Sequence, residues 1–244
     1  MTHNKVAKPF LLLLTLLFMV TGCANKEDEI FLKKVKGTGF AYSEYFKSVD
    51  EQDNRKKVTY YTPLPIDELV SVVPNSIKNA VHLIDPQKLP FEVSEQTAYV
   101  VTSEDEKGNI QNQVQLTYIH SDEYDQTEAF YIITVTELKE NPLDKYDFSK
   151  QQTDTIGNEL RKEILIDDLP IFHQVITTDG ALAYRYYSYD EKNKQVSTVV
   201  TSANELYTYY EGYLYHVGYV TENKNTKAVQ EKTLQLTKEF ILGI

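Results

Sequence analysis

Alternation of apolar and polar residues constrains this chain more than any other feature of its sequence. From Leu89 to Val220, stretches rich in Val, Ile, Thr and Tyr alternate with period two, and polar turns separate them. The first set predicts three strands, over Glu92–Thr102, Gln113–His120 and Glu128–Glu137. The second set predicts six, over Glu163–Ile166, Phe172–Thr177, Ala181–Tyr189, Gln195–Thr201, Glu205–Tyr210 and Tyr213–Val220. Short strands joined by short turns indicate two antiparallel meanders, which could be halves of one curved sheet.

Helical periodicity flanks the predicted sheet on both sides. Apolar residues between Ile66 and Ile84 recur at three-to-four spacing, with Pro74 between two such stretches. After the last strand, Lys227 to Ile241 has one apolar face. An amphipathic helix at the end of a meander usually covers one face of the sheet. The predicted fold is therefore α+β: a curved, half-barrel-like antiparallel sheet with a helix before it and a C-terminal amphipathic helix packed on one face.

The N-terminus has the parts of a secretory signal. Two lysines precede an apolar run over residues 10–20, and two small residues follow that run. The run is well short of the roughly 20 residues that span a bilayer. Cys23 comes next and is the only cysteine in the chain, so no disulfide framework can hold the fold.

Val20-Thr21-Gly22-Cys23 resembles the lipobox of bacterial lipoproteins: an aliphatic residue, two small residues and a cysteine. The resemblance implies that the Cys23 thiol receives a diacylglyceryl group and that residues 1–22 are removed as a signal peptide. Two or three acyl chains, at about 0.8 kcal/mol per buried CH₂, anchor a protein stably. We therefore expect a cell-membrane lipoprotein on the outer, extracytoplasmic face, with no cofactor besides this covalent lipid. The alternative is an ordinary cleaved signal with a chance cysteine or a buried free thiol.

Length, charge and residue usage indicate the domain organisation and the classes of partner. Residues 23–57 are expected to form a lipidated N-terminus and tether, and residues 58–244 a single α+β domain with a loop near 139–154. The net charge of −11 argues against nucleic acid as a partner and favours a body that stands off an anionic membrane. Lysine far outnumbers arginine, and Asn, Ile and Tyr are abundant; this usage resembles that of low-G+C Gram-positive bacteria.

Two stretches of the body resemble a group of bacterial lipoproteins and anti-sigma-factor tails, the DUF4367-like domains. The first is Ala80–Tyr118, a short helix and a Leu-Pro-Phe phrase followed by a meander. The second is Leu206–Leu242, with a tyrosine-rich hairpin and a final helix. The group often carries a tryptophan at that hairpin, and this chain has none. The resemblance implies the half-barrel of lipoprotein carriers and implies no enzyme.

Catalytic and metal-binding motifs are absent from the sequence. No nucleophile elbow, Ser-x-x-Lys pair or glycine-rich phosphate loop occurs. Four histidines lie in different predicted elements without metal-ligand spacing: His82, His120, His173 and His216. We therefore expect no enzyme, no catalytic residue and no metal site.

The 19 tyrosines, in a chain without tryptophan, give the best indication of a binding surface. Residues two apart on a strand share a face, and Tyr combines apolar area with a polar tip. The possible binding surface comprises Tyr184, Tyr186, Tyr209, Tyr213 and Tyr215. The alternative is that these tyrosines are cross-strand pairs and core beneath the last helix.

The expected function is non-catalytic binding at the cell envelope, of a partner protein or a glycan. Two alternatives stay open. One is a carrier or chaperone that holds a lipid or other apolar ligand in a half-barrel cavity. The other is an envelope hydrolase, which would need a cleft where a histidine, a carboxylate and a nucleophile converge.

Overall fold

β-strands dominate the folded part of the chain. The computed structural model describes residues 31–41, 56–104, 107–124, 126–145, 152–154, 156–179, 183–221 and 226–244. Its strands are β1 Lys34–Gly37, β2 Lys56–Tyr61, β3 Leu64–Pro65, β4 Glu95–Glu104, β5 Ile110–Ser121, β6 Thr127–Glu137, β7 Glu159–Ile166, β8 Leu169–Val175, β9 Tyr184–Asp190, β10 Gln195–Thr201, β11 Asn204–Tyr210 and β12 Tyr213–Val220. The α-helices of these residues are α1 Leu69–Val72 and α2 Lys227–Leu242. The predicted signal peptide and Cys23 lie outside the described residues.

The helix expected before the sheet is present, but it is shorter than the three-to-four spacing indicated. Between Ile66 and Ile84, one short helix, α1, is flanked by 3₁₀ turns at Ile66–Glu68 and Lys78–Ala80. Proline explains the interruption, because it lacks an N–H and pushes the preceding residue out of the helical region. Val73, before Pro74, is accordingly extended at φ −60° and ψ 135°.

One open sheet contains all these strands, and the prediction of a mainly antiparallel sheet is confirmed. The strand order is β7-β8-β11-β12-β6-β5-β4-β2-β1-β10-β9, and β3 pairs with β4. Pairing of β12 with β6 joins the two predicted meanders. The second meander does not follow the order of the chain, however. β8 pairs directly with β11, and the intervening strands β9 and β10 form a hairpin at the other end of the sheet.

Strand β1 connects that hairpin to the rest of the sheet. Its first half pairs antiparallel with β2, and its second half pairs parallel with β10. Phe40 and Ala41, which follow it, are buried in a core cluster with Tyr60 and Tyr187. Part of the range expected to be a tether therefore contributes a strand and core side chains.

The two faces of the sheet have different contents, and we call them face A and face B. On β5, face A carries Val114, Leu116 and Tyr118, and face B carries Gln113, Gln115 and Thr117. Face A shares a core cluster with α2, through Leu236, Phe240 and Ile241. The Tyr131 hydroxyl also lies 2.7 Å from Thr237 Oγ1 on α2.

Helix α2 has clear boundaries. The Thr226 hydroxyl accepts a hydrogen bond from the Val229 N–H at its start. Gly243 ends it in the left-handed region, at φ 67°. The sequence prediction of a helix over 227–241 is thus confirmed to within one residue.

Candidate functional site

A cleft opens on face B between strand β9 and strands β3 to β6. Its volume is about 580 Å³, within the range of small-molecule binding sites. Face-B positions of β4 and β5 line one wall, and consecutive residues of β9 line the other. The lining comprises Pro63, Leu64, Pro65, Glu95, Gln96, Thr97, Tyr99, Thr117, Ile119, Ser121, Thr127, Tyr186, Tyr187, Ser188, Tyr189 and Glu191.

Two glutamines of β5 hold the β9 wall in place. The Gln115 carboxamide donates to the Tyr187 carbonyl at 3.1 Å and accepts from the Tyr187 N–H at 2.7 Å. The Tyr187 hydroxyl donates to Gln113 Oε1 at 2.6 Å, and Gln113 Nε2 donates to the Ala41 carbonyl at 3.1 Å. All these bonds are buried, so the wall is fixed by directional contacts as well as by ring packing.

Tyrosines form the aromatic part of the cleft. Tyr99 and Tyr187 are buried, while Tyr186 and Tyr189 are half-buried and reachable from solvent. Tyr186 stacks on Tyr184 and Phe130, with ring centroids 6.1 Å and 6.0 Å away. The accessible rings are therefore held by the core behind them.

The five tyrosines predicted as a surface do not come together. Tyr186 borders the cleft, but Tyr184 is fully buried behind it against Phe130 and Ile132. Tyr215 lies on face A, in the core cluster that includes Phe240.

The other two tyrosines of that set fasten loops to the sheet. The Tyr209 hydroxyl donates to the Leu138 carbonyl at 2.9 Å, and the Tyr213 hydroxyl donates to the Ser76 carbonyl. Strands β9 and β12 are not neighbours in the sheet, so no single wall of tyrosines forms.

Charge in the cleft is negative. Glu95 lies at one wall and Glu191 at the end of the other, and the lining contains no lysine, arginine or histidine. Burial raises the pKa of Tyr99 and of Tyr186, and the negative charge of Glu95 raises both further. Both phenols therefore stay neutral at physiological pH, as hydrogen-bonding groups and polarisable rings.

A second polar cluster lies elsewhere on face B, on β11 and β12. His216 Nε2 lies 2.6 Å from Glu205 Oε2, and the Tyr207 hydroxyl donates to the same oxygen. The Tyr207 ring stacks on the imidazole at 4.6 Å, and the Tyr184 ring meets it edge-on at 4.9 Å. Glu205 and His216 are both buried. This cluster is closed to solvent and has the character of an internal polar network.

His173, the second buried histidine of the described residues, lies on face A. Its Nε2 is 2.8 Å from the Tyr219 hydroxyl. Burial, followed by the charge of Arg161, lowers the pKa of His173 to about 4. The ring is therefore neutral at physiological pH.

The described ranges contain neither a cluster of metal-ligating side chains nor a membrane-spanning helix. They hold no group of three or more His, Cys, Asp or Glu side chains arranged for a metal ion. No helix among them combines the length and apolar composition needed to cross a bilayer.

Sequence reasoning missed Glu95, Tyr99 and Glu191 as cleft residues. A signal existed for the first wall, because positions 95, 97 and 99 share one strand face. The second wall could not be placed, because the hairpin that carries it pairs with β1 far along the chain.

The chain matches no protein-family model, no curated protein and no solved structure. The resemblance to lipoprotein-carrier-like domains therefore stays a prediction.

Proposed function

We propose that this protein is a lipid-anchored lipoprotein of the cell envelope that binds a polar ligand without catalysis in the face-B cleft. The lipobox-like sequence at Cys23 supports the anchor and the extracytoplasmic location. The cleft itself carries the binding proposal, because a concave site of about 580 Å³ combines half-buried tyrosines with carboxylates and hydroxyls.

The contents of the cleft favour this function over the two alternatives. A carrier of apolar ligands needs an apolar cavity, whereas hydroxyl, amide and carboxylate groups line much of this cleft. A hydrolase with a histidine base needs that histidine in the cleft, and the lining has none. The proposal includes a half-barrel-like curvature of the sheet. It also includes α2 as the permanent cover of face A, which the contacts of Leu236 and Phe240 support.

Blocking the cleft tests the binding function. Ser188 on β9 lines the cleft, and its cross-strand partner Ser197 does not. Ser188→Trp fills the cleft, while Ser197→Trp adds the same bulk to the neighbouring strand. The full-length protein, released from membranes in a mild detergent, is compared by native mass spectrometry with both variants.

We expect a bound small-molecule mass on the parent and on Ser197→Trp that is lost from Ser188→Trp. A mass retained equally by all three proteins places the ligand elsewhere and contradicts the proposal. An apo mass for all three, with no ligand recovered from native membranes, also contradicts it.

Acyl labelling in cells tests the anchor separately. Cys23→Ala should abolish incorporation of a fatty-acid probe and release the protein from the membrane fraction. Ala24→Ser, which keeps the cysteine, serves as the control. Normal membrane retention of Cys23→Ala would refute the lipobox interpretation.

A further inference from the structure

The cleft combines two features that attract cations. Its lining contains the carboxylates Glu95 and Glu191 and no basic side chain. The faces of its tyrosine rings carry the negative side of the aromatic quadrupole. A positively charged group over such a ring gains electrostatic attraction, and a nearby carboxylate adds to it.

One ammonium group already uses this chemistry at the rim. Lys194 Nζ lies 5.9 Å from the centroid of the Tyr189 ring. The same nitrogen lies 2.5 Å from Glu191 Oε2. An amine, a tyrosine ring and a carboxylate thus meet at one edge of the cleft, built from the protein's own side chains.

The opposite wall carries the second carboxylate of the cleft, Glu95. Thr97 Oγ1 donates to Glu95 Oε1 at 2.9 Å, which fixes one carboxylate oxygen. Within the described part of the chain, no Lys, Arg or His forms an ion pair with Glu95. Glu95, Tyr99 and Tyr186 all line the cleft, and the negative charge of Glu95 raises the pKa of both phenols. The cleft thus offers the Glu95 carboxylate on the β4 wall and the half-buried Tyr186 ring on the β9 wall to an ammonium group from outside.

We propose that the cleft binds a small, soluble organic ligand through an ammonium group, held by the Glu95 carboxylate and the Tyr186 ring. The inference rests on the ligand-binding function proposed above and names the class of ligand. The net charge of −11 favours the approach of a cation from solution.

Choline and its neutral isostere 3,3-dimethylbutan-1-ol provide a matched pair of probes. They share shape and hydroxyl group and differ in the positive charge. Each is titrated by calorimetry into the full-length protein in phosphatidylglycerol nanodiscs. We expect choline to bind about tenfold tighter than the isostere, which corresponds to a cation–π contact reinforced by a carboxylate. Added salt should weaken choline binding and leave the isostere unaffected.

Variants assign the contacts. Glu95→Gln should weaken choline binding about three- to tenfold, while Glu92→Gln, an exposed carboxylate outside the cleft, should leave it unchanged. Tyr186→Phe keeps the ring and should keep the affinity, whereas Tyr186→Leu should lower it. A loss in both Tyr186 variants would mean that the hydroxyl, and not the ring, makes the contact, which contradicts the proposal.

Two outcomes overturn the inference while leaving the proposed function standing. Equal binding of choline and its isostere shows a cleft without preference for charge. Absence of binding by either probe, with a neutral mass still displaced by Ser188→Trp, shows a ligand of another class.

Repeating the titration in phosphatidylcholine discs tests the source of the ammonium group. Weaker choline binding there would show that a lipid headgroup occupies the cleft, which overturns the assignment to a soluble ligand.

Discussion

The Gln115 side chain pairs with the backbone of Tyr187 as a neighbouring strand would. Its amide nitrogen donates to the Tyr187 carbonyl and its oxygen accepts from the Tyr187 N–H, at 3.1 Å and 2.7 Å. Strand β9 lies at the end of the sheet order, so this part of its edge would otherwise be unpaired. Gln115, together with the Gln113 side chain that accepts from the Tyr187 hydroxyl, therefore holds one wall of the cleft.

Replacing Gln115 should loosen that wall. Gln115→Leu leaves the buried polar groups of Tyr187 without this partner, and we expect a loss of about 1–3 kcal/mol in the free energy of unfolding. Urea denaturation measures the change. Gln235→Leu, on the exposed side of α2, should have little effect. Equal stability of Gln115→Leu and the parent would show that ring packing alone holds β9.

The buried pair of Glu205 and His216 should respond differently to single and double substitution. His216→Leu leaves the buried Glu205 side chain without its hydrogen-bond partner His216, and we expect a loss of about 1–3 kcal/mol in the free energy of unfolding. Replacing both residues with leucine also removes the buried polar group left unpaired by the single change, and should cost less than that change. Thermal unfolding of the three proteins checks this, and additive losses would argue that the two residues act independently.

His173 should make stability depend on mildly acidic pH. Its pKa in the folded protein is about 4, below the ordinary value of about 6.5, so folding favours the neutral ring. The stabilisation is complete above about pH 6.5 and is lost as the pH falls toward 4, by roughly 3 kcal/mol in total. His173→Gln keeps a donor for Tyr219 and removes the titration. Denaturation curves between neutral pH and pH 4 should therefore fall less steeply for the variant than for the parent.

Gly218 on β12 faces a buried ring across the sheet. A Cβ at this position would lie 2.3 Å from Cζ of Tyr184, so the ring would have to move. Because Tyr184 is fully buried, we expect Gly218→Ala to cost about 1–3 kcal/mol through overpacking. Combining it with Tyr184→Leu should cost less than the sum of the two single changes. A fully additive double variant would contradict the steric explanation.

Local patterns predicted most elements of this fold, but not the partners of every strand. The two-residue turn at Glu211–Gly212 fixes the β11–β12 register, so the contact between Tyr207 and His216 could be read from the sequence. Period-two alternation of apolar and polar residues is also a local pattern, and it predicted β5 and β6. The parallel pairing of β1 with β10 carries no local signal, because the paired residues Lys36 and Gln195 are far apart in the chain. The cleft depends on that pairing and was therefore missed.

Proline placement explains the other main difference. Three-to-four spacing between Ile66 and Ile84 suggested a helix, since the spacing reports which side chains face the core. Leu69 and Ile77 are indeed fully buried. Backbone continuity, however, is interrupted by Pro74, so the same side chains reach the core from short turns.

Strand β1 also determines how the protein would bear a mechanical load. Lys34 and Val35 pair with β2, whereas Lys36 and Gly37 pair with β10, so four consecutive residues join the central sheet to the hairpin. A pull on the N-terminal side of the chain is borne first by these few backbone bonds. Under such tension, β1 would peel away before the long strands, and the β9 wall would lose its backbone attachment to β1. Force on the N-terminal side of the chain would then disrupt the cleft.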